Sequence, residues 1–265
     1  MKRTFIILAV IVLLLAVLGG AAAGYVYHIN RSSNALNAKT IGDIRLPIGY
    51  ERIAAKDGSF AAYLRSLPLR KKDTPVYLYN SNKKANYQWL SSGVVDLPLL
   101  SNDEQCADVC MRLYAEYMFA AGKYSDICFT ALNGNKMRYT GGNNRQAFEK
   151  YMRSVYGYCN TTSLTRSLPT RPLFEMQIGD VFVYGHHKVA GKSRYGHAVM
   201  VADMAVNKRT GKKLFLLVEG NTPARDIHIL RHPNPFNNTW FTLDPDAETL
   251  RLLCFRFKNE HLRHF

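Results

Sequence analysis

Gly179-Asp180-Val181-Phe182-Val183 and Gly196-His197-Ala198-Val199-Met200-Val201 decide the fold of this chain. Each is a short apolar run, rich in β-branched residues and introduced by a glycine, which is the pattern of buried strands. The second run opens on a histidine. Downstream, Leu214 to Val218, Ile227 to Leu230 and Leu250 to Phe257 repeat the pattern, and Asn207 to Gly211 reads as a polar hairpin connection. With Val181 to Tyr184 and His197 to Met204, these segments predict an antiparallel sheet.

Upstream the period changes. Ser59 caps a short helix that ends before Pro68, and Val76 to Tyr79 and Val94 to Leu97 read as short strands. Ser101 and Glu104 have capping-box spacing, so a helix is expected from there to about Ala121, broken at Gly122. Along it, Glu104, Asp108, Arg112 and Glu116 recur every four residues, while Cys106, Val109, Cys110, Leu113 and Tyr117 make most of the remaining surface apolar. Ile127 to Thr130 reads as a strand, Asn133-Gly134 as a turn, and Asn143 to Tyr158 as an amphipathic helix. Helices followed by an antiparallel sheet define an α+β class.

The N-terminus has its own chemistry. Lys2 and Arg3 precede an uncharged stretch that extends to about Tyr27, long enough to cross roughly 30 Å of hydrocarbon. Residues 1–28 are expected to be a signal anchor, or a signal peptide cleaved near Ala21-Ala22-Ala23. The flanking cations place the N-terminus in the cytoplasm and the rest of the chain outside, in the cell envelope. Residues 29–47 read as a tether, and 48–265 as a single domain.

A net charge of +15 over 265 residues favours anionic partners. Arg70-Lys71-Lys72, Lys83-Lys84, Lys208-Arg209 and Lys212-Lys213 are scattered outside any nucleic-acid module, so an anionic envelope polymer or a peptide substrate is expected, and no nucleic acid. Five cysteines are too few for a disulfide scaffold and leave an odd thiol.

That thiol points to the chemistry. A cysteine nucleophile reacts as a thiolate, which a helix N-terminus stabilises, and it needs a histidine to move protons and a polar group to orient that histidine. Cys106 stands near a helix start, His197 at a strand head, and Glu219 or Asn221 at the end of the next strand. A competing reading makes Cys106 inert core, as Cys110 is expected to be. No metal site is expected, since the adjacent His186 and His187 point to opposite faces of a strand and no Cys-x-x-Cys pair occurs. No cofactor is implied.

These residues resemble the NlpC/P60-like branch of papain-related cysteine hydrolases, in which a cysteine begins a helix, a Gly-Asp-apolar strand follows and a histidine opens the adjacent strand. The chain differs in having Gln105-Cys106-Ala107-Asp108 where those hydrolases have Asp-Cys-Ser-Gly, and in the long insertion between cysteine and histidine, assigned to about Asn133 to Pro172. The chain is also similar to a family of exported bacterial proteins built on a domain of unknown function, through Gly49 to Ile53, Tyr63 to Arg65, Val95 to Pro98, Gln105 to Leu113, Met176 to Phe182 and Gly196 to Met204. The first resemblance implies an NlpC/P60-like domain acting as an envelope-anchored Cys/His hydrolase of an amide bond, with cell-wall peptides as substrates. The alternatives are a non-catalytic envelope-binding module with an inert site, and a lipid acyl hydrolase or transferase using the same dyad.

Overall fold

The computed structural model describes residues 2–32, 37–86, 88–234 and 239–265. Helix α1 (Lys2–Ser32) carries the apolar stretch, and Phe5–Tyr25 forms a 21-residue span with none of its length buried. Its composition and length fit a membrane span or a signal segment. Of the expected tether, residues 33–36 lie outside the described residues. The folded part begins earlier than residue 48, because Ile41 and Ile44 are fully buried in the core.

Strand β1 (Glu51–Arg52) and helix α2 (Phe60–Ser66) come next, with Ser59 Oγ accepting from Ala62 N–H as the sequence predicts. Val76 to Tyr79 is not a strand. Its residues form only isolated bridges, Tyr77 to Lys84 and Leu78 to Arg225, while β2 (Ser91–Val94) lies slightly before the expected segment. Helix α3 (Cys106–Ala120) starts later than Ser101, because Glu104 is taken up elsewhere and Asp108 closes the first turn by accepting from Gln105 N–H at 3.0 Å. Cys106 is therefore its first residue. The hairpin β3 (Cys128–Thr130) and β4 (Lys136–Arg138) precedes α4 (Arg145–Tyr158), capped by Asn144, and α5 (Thr161–Ser167), capped by Asn160.

The sheet follows: β5 (Val181–Tyr184), the hairpin β6 (His187–Val189) and β7 (Lys192–Arg194), β8 (His197–Val206), β9 (Lys213–Glu219), β10 (His228–Leu230) and β11 (Phe241–Leu243). The segment Leu250 to Phe257 is not one strand. It folds back as a separate hairpin, β12 (Thr249–Arg251) and β13 (Arg256–Lys258), with Leu252 N–H donating to Phe255 C=O at 2.8 Å across its tip. The short β14 (Leu262–Arg263) closes one edge, giving a spatial order of β14-β5-β8-β9-β10-β2, with every pairing antiparallel.

Both faces of the sheet are covered, which is why β8 is apolar almost throughout. On one face Ala198, Met200, Ala202, Leu216 and Val218 pack with Val109, Cys110 and Leu113 of α3. On the other, Val199, Val201, Phe215 and Leu217 pack with Phe182, Phe241 and Phe257. A bulge between Val201 and Asp203 then shifts the alternation by one residue, so Met204 and Ala205 exchange faces. Asp203 is fully buried at the bulge, where Arg52 and Arg65 bind its carboxylate at 2.8 and 2.6 Å.

The four-residue stripe on α3 is buried too. Arg112 donates to Glu104 at 2.9 Å and to Glu116 at 2.8 Å, and Arg145 of α4 pairs with Glu116 at 2.6 Å. Glu104, Arg112 and Glu116 are buried, and the exposed Arg145 balances the second carboxylate from the outer end, which is what allows the three buried charges to sit inside a helical layer. This ladder locks α3 against α4.

Candidate active site

Alternation along the strands places the site. His197 in β8, Glu219 in β9 and His228 in β10 share the face of the sheet opposite α3, on three adjacent strands, and His228 is directly across from Glu219. His197 Nε2 and Glu219 Oε2 are 2.8 Å apart, and His228 Nε2 lies 3.4 Å from Glu219 Oε1. All three residues are 3 % exposed or less. His228 Nδ1 donates to Asp226 C=O at 3.0 Å, which sets its ring orientation.

Cys106 approaches from the other layer. One glycine lets it do so: a Cβ at Gly220 would meet Val109 Cγ2 at 2.5 Å and Gln105 C=O at 3.2 Å, while Gly196, just before His197, gives room to Thr161 of α5 and Tyr184 C=O instead. The start of α3 therefore presses against the ends of β8 and β9. The thiol lies near enough to the His197 ring to favour its charged form, while Nε2 of that ring is held by Glu219.

Burial alone would lower the His197 pKa. Hydrogen bonds to Cys106 and Glu219 outweigh it and hold the imidazole at about 9, so it is protonated at neutral pH. Burial pushes the Glu219 carboxyl up, but His197 and His228 bring it down to about 2. The array thus pairs an imidazolium with the Glu219 carboxylate, with Cys106 beside the ring.

Phe255, at the tip of the β12–β13 hairpin, stacks on the imidazole with ring centroids 3.6 Å apart and planes 13° from parallel. This contact is the consequence of the hairpin that replaces the expected long strand. It clamps the ring and covers its outer face.

Asn221 does not touch His197. Its side-chain amide donates to Glu219 Oε1 at 3.3 Å, so Glu219 is the direct partner and Asn221 supports it. Sequence reasoning missed His228 and Phe255. His228 stands alone in a three-residue buried strand, and a polar residue on the inward face of a strand was its one available signal. Phe255 carried none, because its role depends on the hairpin.

The thiol faces a cleft of about 560 Å³, lined by Gln105, Asp108, Asn160, Thr161, Arg166 and Tyr195 among others. Gln105 is held there by Thr222 Oγ1, which donates to its Oε1 at 2.6 Å. Asp108 is 6 % exposed, and burial with nearby Glu104 raises its carboxyl to about 8 against the opposing hydrogen bond from Gln105 N–H. The first N–H groups of α3 have no partner within the helix and flank Cys106. All five cysteines are free, and among the described residues no group of three or more His, Cys, Asp or Glu is arranged to hold a metal ion.

Fold and site together define an α+β domain with a buried Cys–His–Glu array at the junction of a helix N-terminus and an antiparallel sheet. Residues 41–142 and 137–264 match the model of the family described as domain of unknown function 4846, and the chain belongs to that family. No curated protein and no solved structure matches the chain.

Proposed function

We propose that the protein is an envelope-anchored cysteine hydrolase of NlpC/P60-like, papain-related type, cleaving an amide bond, with cell-wall peptides as its substrate class. The observation that carries this reading is the proximity of Cys106 to His197, whose Nε2 is bound by buried Glu219 at 2.8 Å. In the reaction the Cys106 sulfur, having given its proton to His197, attacks the carbonyl carbon as the thiolate, forming a C–S bond. The N–H groups at the start of α3 stabilise the oxyanion. Collapse of the tetrahedral intermediate breaks the C–N bond, and the His197 imidazolium gives its proton to the departing amine. His197 then takes a proton from water, whose oxygen attacks the thioester, breaking the C–S bond and releasing the acid and the Cys106 thiolate beside the imidazolium.

The apolar helix α1 supports an anchor, with the domain outside the cytoplasm. A second reading, cleavage or transfer of a lipid acyl group by the same residues, is favoured by Leu132 and Tyr195, which line the cleft and are 45 % and 86 % exposed. Iodoacetamide near neutral pH separates a hydrolase from an inert binding module. Cys106 is expected to alkylate much faster than buried Cys110, and the variant Cys106→Ala to stay folded but lose all cleavage of peptide and acyl-ester substrates. Slow alkylation, or cleavage by Cys106→Ala at the wild-type rate, refutes the mechanism.

A further inference from the structure

The domain begins beside a run of cations. Leu69 N–H donates to Lys39 C=O at 2.8 Å, Ile41 N–H donates to Leu67 C=O at 3.1 Å, and Thr40 bridges Pro68. The chain entering the domain is thus fastened to residues 67–69, and Arg70-Lys71-Lys72 follows at once. Between Ser32, where α1 ends, and Lys39 the chain spans at most about 25 Å even fully extended. Whatever α1 inserts into therefore lies within reach of these cations.

They line a polar cleft of about 190 Å³ together with Ser91, Ser92 and Arg231. Arg70 is engaged by Asp96 at 3.2 Å and Asp226 at 3.0 Å, but Lys71 and Lys72 are exposed and form no ion pair among the described residues. The Ser92 hydroxyl has no hydrogen-bond partner there. Two residues before Ser91, Trp89 is 58 % exposed. An exposed tryptophan two residues from a cleft lined by unpaired lysines is the composition of a surface that sits at a lipid head-group layer.

We propose that this cleft and Trp89 form a membrane-facing surface that binds the phosphate groups of anionic lipids in the bilayer holding α1. The proposal rests on α1 being membrane-inserted, and is independent of the chemistry at Cys106. Docking here fixes the orientation of the domain on the bilayer. The net charge of +15 supplies long-range attraction, and Lys71 and Lys72 the local contact.

The test uses the full chain reconstituted in vesicles of phosphatidylcholine, alone or with phosphatidylglycerol. Acetylation rates at individual lysines are read by mass spectrometry, with Lys208, which pairs with Glu51 at 2.5 Å, as reference. Phosphatidylglycerol is expected to slow acetylation of Lys71 and Lys72 at least about fivefold and to blue-shift Trp89 emission, both effects disappearing in high salt. The double variant Lys71→Gln, Lys72→Gln is expected to lose the Trp89 shift at an unchanged Tm. Equal acetylation in both vesicles overturns the proposal, as does equal protection by inorganic phosphate in phosphatidylcholine vesicles. Failure of the chain to float with either vesicle overturns instead the membrane reading of α1.

Discussion

Replacing Glu219 by glutamine removes one charge and few atoms from the centre of the site. The wild-type carboxyl is held at about 2, against 4.5 for a free glutamate, by hydrogen bonds and charge interactions with His197 and His228 that overcome its burial. A difference of that size corresponds to roughly 3 kcal/mol, in line with the cost of about 3–5 kcal/mol for breaking a buried ion pair. Because the folded-state pKa is depressed, this stability is present above pH 4.5 and lost as pH falls through about 2. Urea unfolding of Glu219→Gln at pH 7 should therefore show a loss of about 3 kcal/mol, shrinking in acid. The same change removes a charge that holds the His197 imidazolium, so the alkaline limb of iodoacetamide reactivity should move down from about pH 9. A loss below about 1 kcal/mol at pH 7, together with an unshifted alkaline limb, would refute the coupling of these residues.

Asp108→Asn tests a buried acid outside the array. Its raised folded-state pKa of about 8 stabilises fully below pH 3.8 and is lost as pH rises through 8, so the variant should gain on wild type above pH 8 in thermal melts. Gly220→Ala forces a methyl group to within 2.5 Å of Val109, and should cost about 1–3 kcal/mol while slowing Cys106 alkylation by moving α3 off the strand ends. Asn221→Ala, which touches Glu219 and not His197, should reduce turnover by less than Glu219→Gln does, measured side by side on one substrate.

The strands were largely legible because each buries a run that side-chain period and β-branching expose: Val181 to Tyr184 and the start of β8 at His197 are where the pattern puts them. The first turn of α3 was misplaced. Ser101 and Glu104 have capping spacing, but Glu104 is worth more as a buried partner for Arg112, with Leu100 N–H donating to it at 2.6 Å, so the cap falls to Gln105 and Asp108. Leu250 to Phe257 was misread for a related reason. Phe257 does bury and Leu250, Leu252 and Phe255 pack partly buried beside it, but a tip at Leu252 to Phe255 lets the segment fold over the sheet instead of extending it, leaving Leu253 exposed.

Sequence by itself determined the components: an apolar N-terminal helix, a basic α+β domain, a cysteine by a helix start, a histidine at a strand head and an acid ending the next strand. Local chemistry suffices for these, since periodicity and capping act within a few residues. Only tertiary structure decided which acid holds His197, that His228 and Phe255 complete its surroundings, and that Cys106 reaches the ring from the opposite layer. Strand register aligns residues 22 and 31 positions from His197, and close packing at Gly220 carries α3 to them. Contacts of that kind depend on how layers stack, and no local pattern records them.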